Sequence, residues 1–585
     1  MHYRLNTQDT NQSKEPLRVG LTRLLPVMAG EGRNVALAVF AIIISSATTL
    51  TAPLIIAYIV DRFIATNDYQ GVFVWSGLLL GVFLIGLVSS YVQSRTMGGV
   101  GRRILFNLRN AIFTKLQALP VAFFNQNKSG DLISRINNDT DKINQFFAQA
   151  LMQFLSNAAL MLGAGVLLVS LNVRLGLAAL VPAIIVLIAT RMLSGWVKRA
   201  SFKSLQTLGG LSGEVQESLA NFKVIVAFNR LDYFRNKFAG ANQANYSASV
   251  KAGVASNIFL PLYGLAANLG TLIVLAYGII LIGNGELTTG LLIGYILYVT
   301  NFYTPMRQLA SIWASLQLAL AGLDRISEVL ALNSDMTIVP SDEVVGDAVM
   351  AFDDVSFSYS GGQDVLSDIC FSLERGKTYA LIGPTGGGKT TTASLMARLY
   401  DPSAGTVRLN GRDIRAFTAE ERAETIGFIL QEPFLFSGTV GDNIVYGNPA
   451  YADLAGGQLV DRLDEAGLSG LLKRFDQGLE TPVSASGDAM SLGQKQLIAF
   501  MRAALRNPQL LILDEATANI DTVTEKLLEE ILAALPAQTT TVIIAHRLNT
   551  INNADEIFFV NGGTVTPAGS MESAVDMLLN GQMQS

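Results

Sequence analysis

Gly383-Pro384-Thr385-Gly386-Gly387-Gly388-Lys389-Thr390 decides the fold of the second half of this 585-residue chain. The stretch follows the apolar run 378–382 and opens a helical run. That strand-to-helix setting makes the spacing of a phosphate-binding loop credible rather than a chance glycine-rich turn. Glycines let the backbone curl around an anion with N–H groups pointing inward. The helix that follows directs its positive end at the same place. Lys389 supplies a point charge for the outer phosphates, and Thr390 supplies a hydroxyl for Mg²⁺.

Further along, Leu510-Leu511-Ile512-Leu513 runs into Asp514-Glu515. Two carboxylates at the tip of a buried strand are often structural. At this distance after a phosphate loop they suit chemistry: Asp514 for the magnesium shell, Glu515 as general base for an attacking water. His546 ends the apolar run 541–545 and is one of two histidines, the other being His2. Its place at a strand end favours a catalytic over a structural role. Ser491-Leu492-Gly493-Gln494 has capping-box spacing and opens a helix to about Leu505. The plain reading is a well-capped helix; the functional one is a second phosphate-binding surface that faces another subunit. Runs 378–382, 510–513 and 541–545 read as buried parallel strands alternating with helices, so 350–585 is expected to be an α/β domain.

Upstream the texture is different. Apolar stretches at about 34–60, 71–93, 146–171, 175–193, 253–283 and 288–316 are each long enough to cross a bilayer. Soluble helices keep a polar face, and 78–92 and 270–281 have almost none. Charges such as Asp61, Arg62, Arg191 and Arg307 sit near span ends, where their cost is small. The expected fold is therefore an all-α six-helix transmembrane domain over 34–330, joined by a linker over 331–349 to the α/β domain. Residues 1–33 form a tail whose Leu17, Val19, Leu21, Leu24, Leu25 and Val27, mixed with Arg18 and Arg23, suggest an amphipathic helix on the membrane surface. The tail lacks the layout of a cleaved signal peptide.

Orientation follows from Lys and Arg placement. The link after the second span carries Arg95, Arg102, Arg103, Arg109, Lys115, Lys128, Arg135 and Lys142. The link after the fourth carries Lys198, Arg199, Lys203, Lys223, Arg230, Arg235, Lys237 and Lys251. Both links and both termini are expected in the cytoplasm, with the chain in the inner (plasma) membrane. These links read as helical extensions broken near 120–130 and 218–226, each pair a hairpin with a free tip. The charged fraction of 15% and mean hydropathy of +0.37 agree with a membrane-buried mass. A formal charge of −5 argues against nucleic acid as a partner. Cys370 is the one cysteine, which excludes an intrachain disulfide; it reads as a small buried strand residue.

Taken together these motifs resemble the ABC ATPase family, and the whole chain from about 15 to 580 resembles its type IV exporter half-transporters. The resemblance implies ATP and Mg²⁺ as cofactors, with Gly383, Pro384, Thr385, Gly386, Gly387, Gly388, Lys389, Thr390 and Thr391 around the phosphates. It implies that Tyr359 stacks on adenine and that Gln431, in Leu430-Gln431-Glu432-Pro433, senses Mg²⁺ beside Thr390 and Asp514. It implies that Ser491, Gly493 and Gln494 belong to a signature reaching the partner's ATP, and that Asp521 is the D-loop aspartate. His546 matches the switch histidine. Tips near 123–130 and 221–228 look like coupling helices. Two ATP molecules between two head-to-tail domains would make closure ATP-dependent and drive alternating access, with Glu515, His546 and Gln431 serving hydrolysis.

Three departures stand out: Met490 and Leu492 where the signature has Leu and Gly, and Ala485 where Glu is common. Such drift occurs in exporters built of two unlike chains, so a heterodimer of half-transporters is slightly favoured over a homodimer. The expected cargo is hydrophobic or amphipathic compounds or lipids. Phe259, Tyr263, Tyr277, Tyr298 and Met306 are candidate lining residues, with ordinary helix packing and lipid contact an equal alternative for each. An importer on the same scaffold and a membrane-anchored ATP-dependent regulator remain as other readings.

Overall fold

The structure, a computed structural model, describes residues 3–5, 25–341, 343–359, 362–448, 451, 454, 456–484, 490–514, 527, 531–532, 535–544, 554–569 and 572–577. It divides into two units. One is Asn6–Gln117 with Ser129–Ala331; the other is Met1–Leu5, Ala118–Lys128 and Leu332–Ser585.

In chain order the helices up to residue 331 are α1 (Gly32–Ile59), α2 (Tyr69–Gln117), α3 (Val121–Gln126), α4 (Ser129–Ser134), α5 (Thr140–Gln145) and α6 (Leu151–Leu171). They continue as α7 (Val173–Ala220), α8 (Phe222–Ala227), α9 (Leu231–Asn257), α10 (Phe259–Gly283) and α11 (Thr289–Ala331). All but α3 lie in the first unit. Among the described residues five helical segments are long and apolar enough to cross a membrane: Gly32–Ile64, Tyr69–Gln117, Ser129–Leu171, Val173–Ala220 and Leu231–Gly283. The sixth expected span falls on α11, which has the length. Thr300, Asn301, Thr304, Arg307 and Gln308 make it less apolar than the others. Phe73, Leu87 and Ile185 are more than half exposed, as lipid-facing side chains are.

Three tyrosines bind α11 to its neighbours. Tyr295, Tyr298 and Tyr303 are at most 2% exposed. Tyr295 donates to the carbonyl of Leu168 at 2.9 Å in the last turn of α6, where carbonyls have no helical partner. Tyr298 donates to Leu50 O on α1 at 2.5 Å, and Tyr303 to Ala179 O on α7 at 2.9 Å. Both of those carbonyls lie three residues before an in-helix proline, Pro53 and Pro182. Proline lacks an N–H and crowds the turn before it, so carbonyls there are open to another donor. Tyr298, Tyr263 and Met306 are therefore core residues rather than lining ones, because their side chains fill the helix packing. Phe259 and Tyr277 are half-buried against the same core.

Below the spans the first long link is braced by buried charge. Arg135 is 1% exposed and sits in a π-helical turn, Arg135–Asp139. Its Nε meets Asp131 at 2.9 Å, and its terminal nitrogen meets Glu328 at 2.8 Å and Arg325 O at 2.6 Å. Arg325 in turn reaches Asp131 at 2.6 Å and Asp139 at 3.2 Å, and Lys142 reaches Asp139 at 2.9 Å. Three cations face three carboxylates, which is the balance burial demands.

The second unit carries β1 (Met350–Ser358), β2 (Asp364–Leu373), β3 (Thr378–Ile382), α12 (Lys389–Met396), β4 (Ala404–Leu409), β5 (Arg412–Asp413), α13 (Ala419–Thr425) and β6 (Ile426–Ile429). After these come β7 (Gly438–Thr439), α14 (Val440–Val445), α15 (Gly456–Glu465), β8 (Pro482–Val483), α16 (Leu492–Ala504), β9 (Leu510–Asp514), β10 (Thr540–Ile544), β11 (Glu556–Asn561) and β12 (Thr564–Pro567). An antiparallel sheet is ordered β2-β1-β4-β5, and a six-stranded one β12-β11-β3-β10-β9-β6, parallel except for β12. The three strands read as buried and parallel are β3, β9 and β10 at its centre. A buried arginine, Arg398, holds the segment after α11 by donating to Thr337 O at 2.7 Å.

Cys370 corrects an expectation: it is exposed. Between the pairs Phe352↔Phe371 and Val355↔Ile369, β1 has two residues where β2 has only Cys370. Within β2, Ile369, Phe371 and Leu373 turn toward the core in strict alternation, so Cys370 falls on the outward face, opposite the bulge in β1. Its Sγ donates to Asp354 Oδ1 at 3.0 Å, and that bond raises its pKa.

Candidate functional site

The phosphate loop joins β3 to α12, and three of its glycines, Gly383, Gly386 and Gly388, take a backbone conformation that side chains disfavour. Gly383 has φ +147°, and a Cβ there would stand 2.0 Å from Val560 O. Gly388, with φ +113°, would collide with Leu366. Gly387 is buried against the same Val560 carbonyl, while Thr385 and Gly386 form the exposed crest. Lys389 is 5% exposed and donates to Gly383 O at 2.9 Å and Pro384 O at 3.0 Å, so its ammonium lies inside the loop. Thr390 begins the first turn of α12, and its hydroxyl donates to Asp514 Oδ1 at 3.4 Å. Asp514 ends β9 and is 4% exposed. A hydroxyl and a carboxylate side by side are hard oxygen donors of the kind Mg²⁺ takes, so the residues present fit that ion.

The order β3-β10-β9-β6 of parallel strands sets Gly383, Ile544, Asp514 and Ile429 at one edge of the sheet. Gln431, exposed, follows β6 at this edge. Glu515, Asp521 and His546 lie outside the described residues, as does Ala485. A cleft of about 210 Å³ opens beside Gln431, lined among others by Phe428, Phe434, Phe436, Tyr446 and Arg502. Burial lowers the pKa of Arg502, whose guanidinium lies over Tyr446 at 5.3 Å.

Tyr359 is 41% exposed, and its hydroxyl meets Thr391 Oγ1 at 3.0 Å, which ties it to the helix that opens the phosphate loop. Its ring is edge-on to Phe357 at 4.9 Å and to Tyr400 at 5.3 Å. Tyr400 and Asn125 went unread in the sequence. Asn125 of α3 donates to the Tyr400 hydroxyl at 2.6 Å, a contact 275 residues apart that no local pattern announces. Burial pushes the Tyr400 phenol up.

Ser491 caps α16. Its hydroxyl accepts from Gln494 N at 3.2 Å while the Gln494 side chain accepts from Ser491 N at 3.0 Å. Gly493 lies in the first turn, and Ser491 is exposed. Met490 packs against the core of the unit, so this apolar departure preserves a packing role. The expected breaks in the two long links coincide with short helices, α3 and α8.

Residues 35–306 match the ABC transporter transmembrane region, and residues 366–518 match the ABC transporter family of ATP-binding domains. An uncharacterised ABC transporter ATP-binding protein, YfiC of Bacillus subtilis, is 31% identical over 95% of this chain and 92% of its own. A fatty acid ABC transporter ATP-binding/permease protein of Mycobacterium tuberculosis is 30% identical over 86% of this chain and 79% of its own. A multidrug resistance ABC transporter ATP-binding and permease protein of Lactococcus lactis is 29% identical over 85% and 84%. A helical unit of apolar spans, a glycine-built phosphate loop with Lys389 inside it, and full-length likeness to such fused permeases place this chain in the ABC transporter family, as an ATPase-coupled transporter with membrane and ATP-binding regions in one polypeptide.

Proposed function

We propose that this chain is an exporter half-transporter that works as a dimer, slightly favouring an unlike partner, and moves hydrophobic or amphipathic compounds or lipids out of the cell. The observation that carries the reading is the pair Thr390–Asp514 at 3.4 Å, beside a buried Lys389, in a chain that also has long apolar helices. Relatives named for fatty acids and for multidrug resistance support an apolar cargo. The Lys and Arg of the long links support a cytoplasmic side for the α/β unit and both termini.

In this reading the loop N–H groups and Lys389 hold the phosphates of ATP, and Tyr359 stacks on the adenine. Thr390, Asp514 and Gln431 would hold Mg²⁺, which would supply positive charge against the phosphates. Glu515 accepts the proton of the attacking water, and His546 holds the γ-phosphate in line. The exposed start of α16, with Ser491, Gly493 and Gln494, closes on ATP held by the partner, and Asp521 completes that interface. The exposed apolar α8 seats on the partner's α/β unit, where a cleft like the one beside Gln431 accepts an apolar helix tip.

Reconstituted protein is expected to hydrolyse ATP, and Glu515→Gln to reduce the rate by about a hundredfold or more. Hydrolysis that survives this change removes Glu515 as the base. Absence of hydrolysis in the unaltered protein, alone and with its co-purifying partner, overturns the transporter reading.

A further inference from the structure

Residues 3–5 sit where an N-terminal tail has no evident reason to be. Tyr3 is 2% exposed and Leu5 3%. They lie among the residues of α3 and of the segment after α11, all within the α/β unit. Asn127 treats this short run as a neighbouring strand. Its Oδ1 accepts from Leu5 N at 2.9 Å and its Nδ2 donates to Tyr3 O at 2.8 Å. The same Nδ2 also donates to Phe123 O at 2.8 Å, at the centre of α3. Gln126 accepts from Tyr3 N at 2.8 Å. The Tyr3 ring stands edge-on to the fully buried Phe123, 6.5 Å away. At its far end the phenol donates to Asp335 Oδ1 at 2.5 Å and accepts from Asp335 N at 3.0 Å. One side chain thus spans from α3 to the segment that leads from α11 into β1.

We infer that residues 3–5 are a staple: they fasten the 118–128 tip to the 332–336 segment so that both connections into the spans move with the α/β unit as one piece. The inference rests on the transporter reading. Tyr3 is the positioning residue and touches no nucleotide. Burial first, and the Asp335 bond second, push its phenol up to about 12, so it remains a donor at any cellular pH. The staple stays closed through the cycle; slack at this point would let ATP be consumed without moving the spans.

The test uses the full chain with its partner in lipid nanodiscs, on a Cys370→Ser background with Thr66→Cys as reporter. Hydrogen exchange over 121–127 and labelling of the reporter by an impermeant maleimide, with and without ATP and vanadate, are measured together. In Tyr3→Ala and in Asn127→Ala, exchange protection over 121–127 is expected to fall about tenfold or more. Protection over 378–382 serves as the control for folding. Basal hydrolysis stays within about twofold, while the ATP-dependent change in labelling shrinks at least about fivefold. Tyr3→Phe, which keeps the ring and loses the Asp335 bond, falls between, and it carries the test if the alanine variants do not fold. Unchanged protection, or an unchanged labelling response, in these variants overturns the staple. A lack of ATP response in the parent protein refutes the transporter reading instead, and leaves the exchange result to judge the staple by itself.

Discussion

The two hairpin tips of the first unit's long links are built to opposite plans. At the 118–128 tip Leu119 and Phe123 are buried, Asn125 reaches Tyr400, and residues 3–5 lie along it. At the α8 tip Phe222, Val224, Val226 and Phe228 are 54%, 54%, 49% and 75% exposed, and only Ile225 is buried. The stems differ in the same sense. Arg135 is itself buried beneath the first tip between half-buried carboxylates, whereas Lys237, a third exposed, meets Glu214 and the exposed Glu217 beneath the second. One tip is completed inside its own chain. The other offers an apolar surface of a kind monomeric proteins seldom leave bare.

Breaking the stems should separate them most sharply. Arg135→Ala strips one partner from a buried ion cluster and is expected to cost about 3–5 kcal/mol in denaturant unfolding. Lys237→Ala removes a solvent-screened pair and should leave the melting temperature unmoved. Next in size, Val224→Asp with Phe228→Asp should weaken association with the partner by about 2 kcal/mol or more, read by sedimentation. Because those side chains touch little in this chain, unfolding of the isolated protomer should change by no more than about 0.5 kcal/mol. Loss of protomer stability instead would mean the tip is packed at home after all. The smallest expected effect sharpens the first tip: Asn125→Ala and Tyr400→Phe each remove one hydrogen bond, about 0.5–1.5 kcal/mol. A double-mutant cycle should find them non-additive.

Much of this was legible in the chain, and the reason is locality. The phosphate loop, the cap on Ser491 and the strands around Asp514 are written in runs of under a dozen residues, where backbone freedom, capping and alternation act directly. The spans were legible as apolar mass, although α11 is not among the five segments that length and composition alone qualify to cross a membrane. What the sequence concealed depends on distant partners. Tyr3 is one aromatic in a polar tail until Phe123 and Asp335 are brought to it. Tyr298 and Met306 look like candidate cavity walls until α1 and α7 close over them. Cys370 sits in an apolar run, and only the packing of β2 through Ile369, Phe371 and Leu373 shows that its own face is the outward one.

The three tyrosines of α11 reach only main-chain oxygens on α1, α6 and α7. Such fastenings are indifferent to which side chains surround them. The interior of the bundle can therefore be resurfaced over evolution, residue by residue, for a new passenger while its frame stays tied.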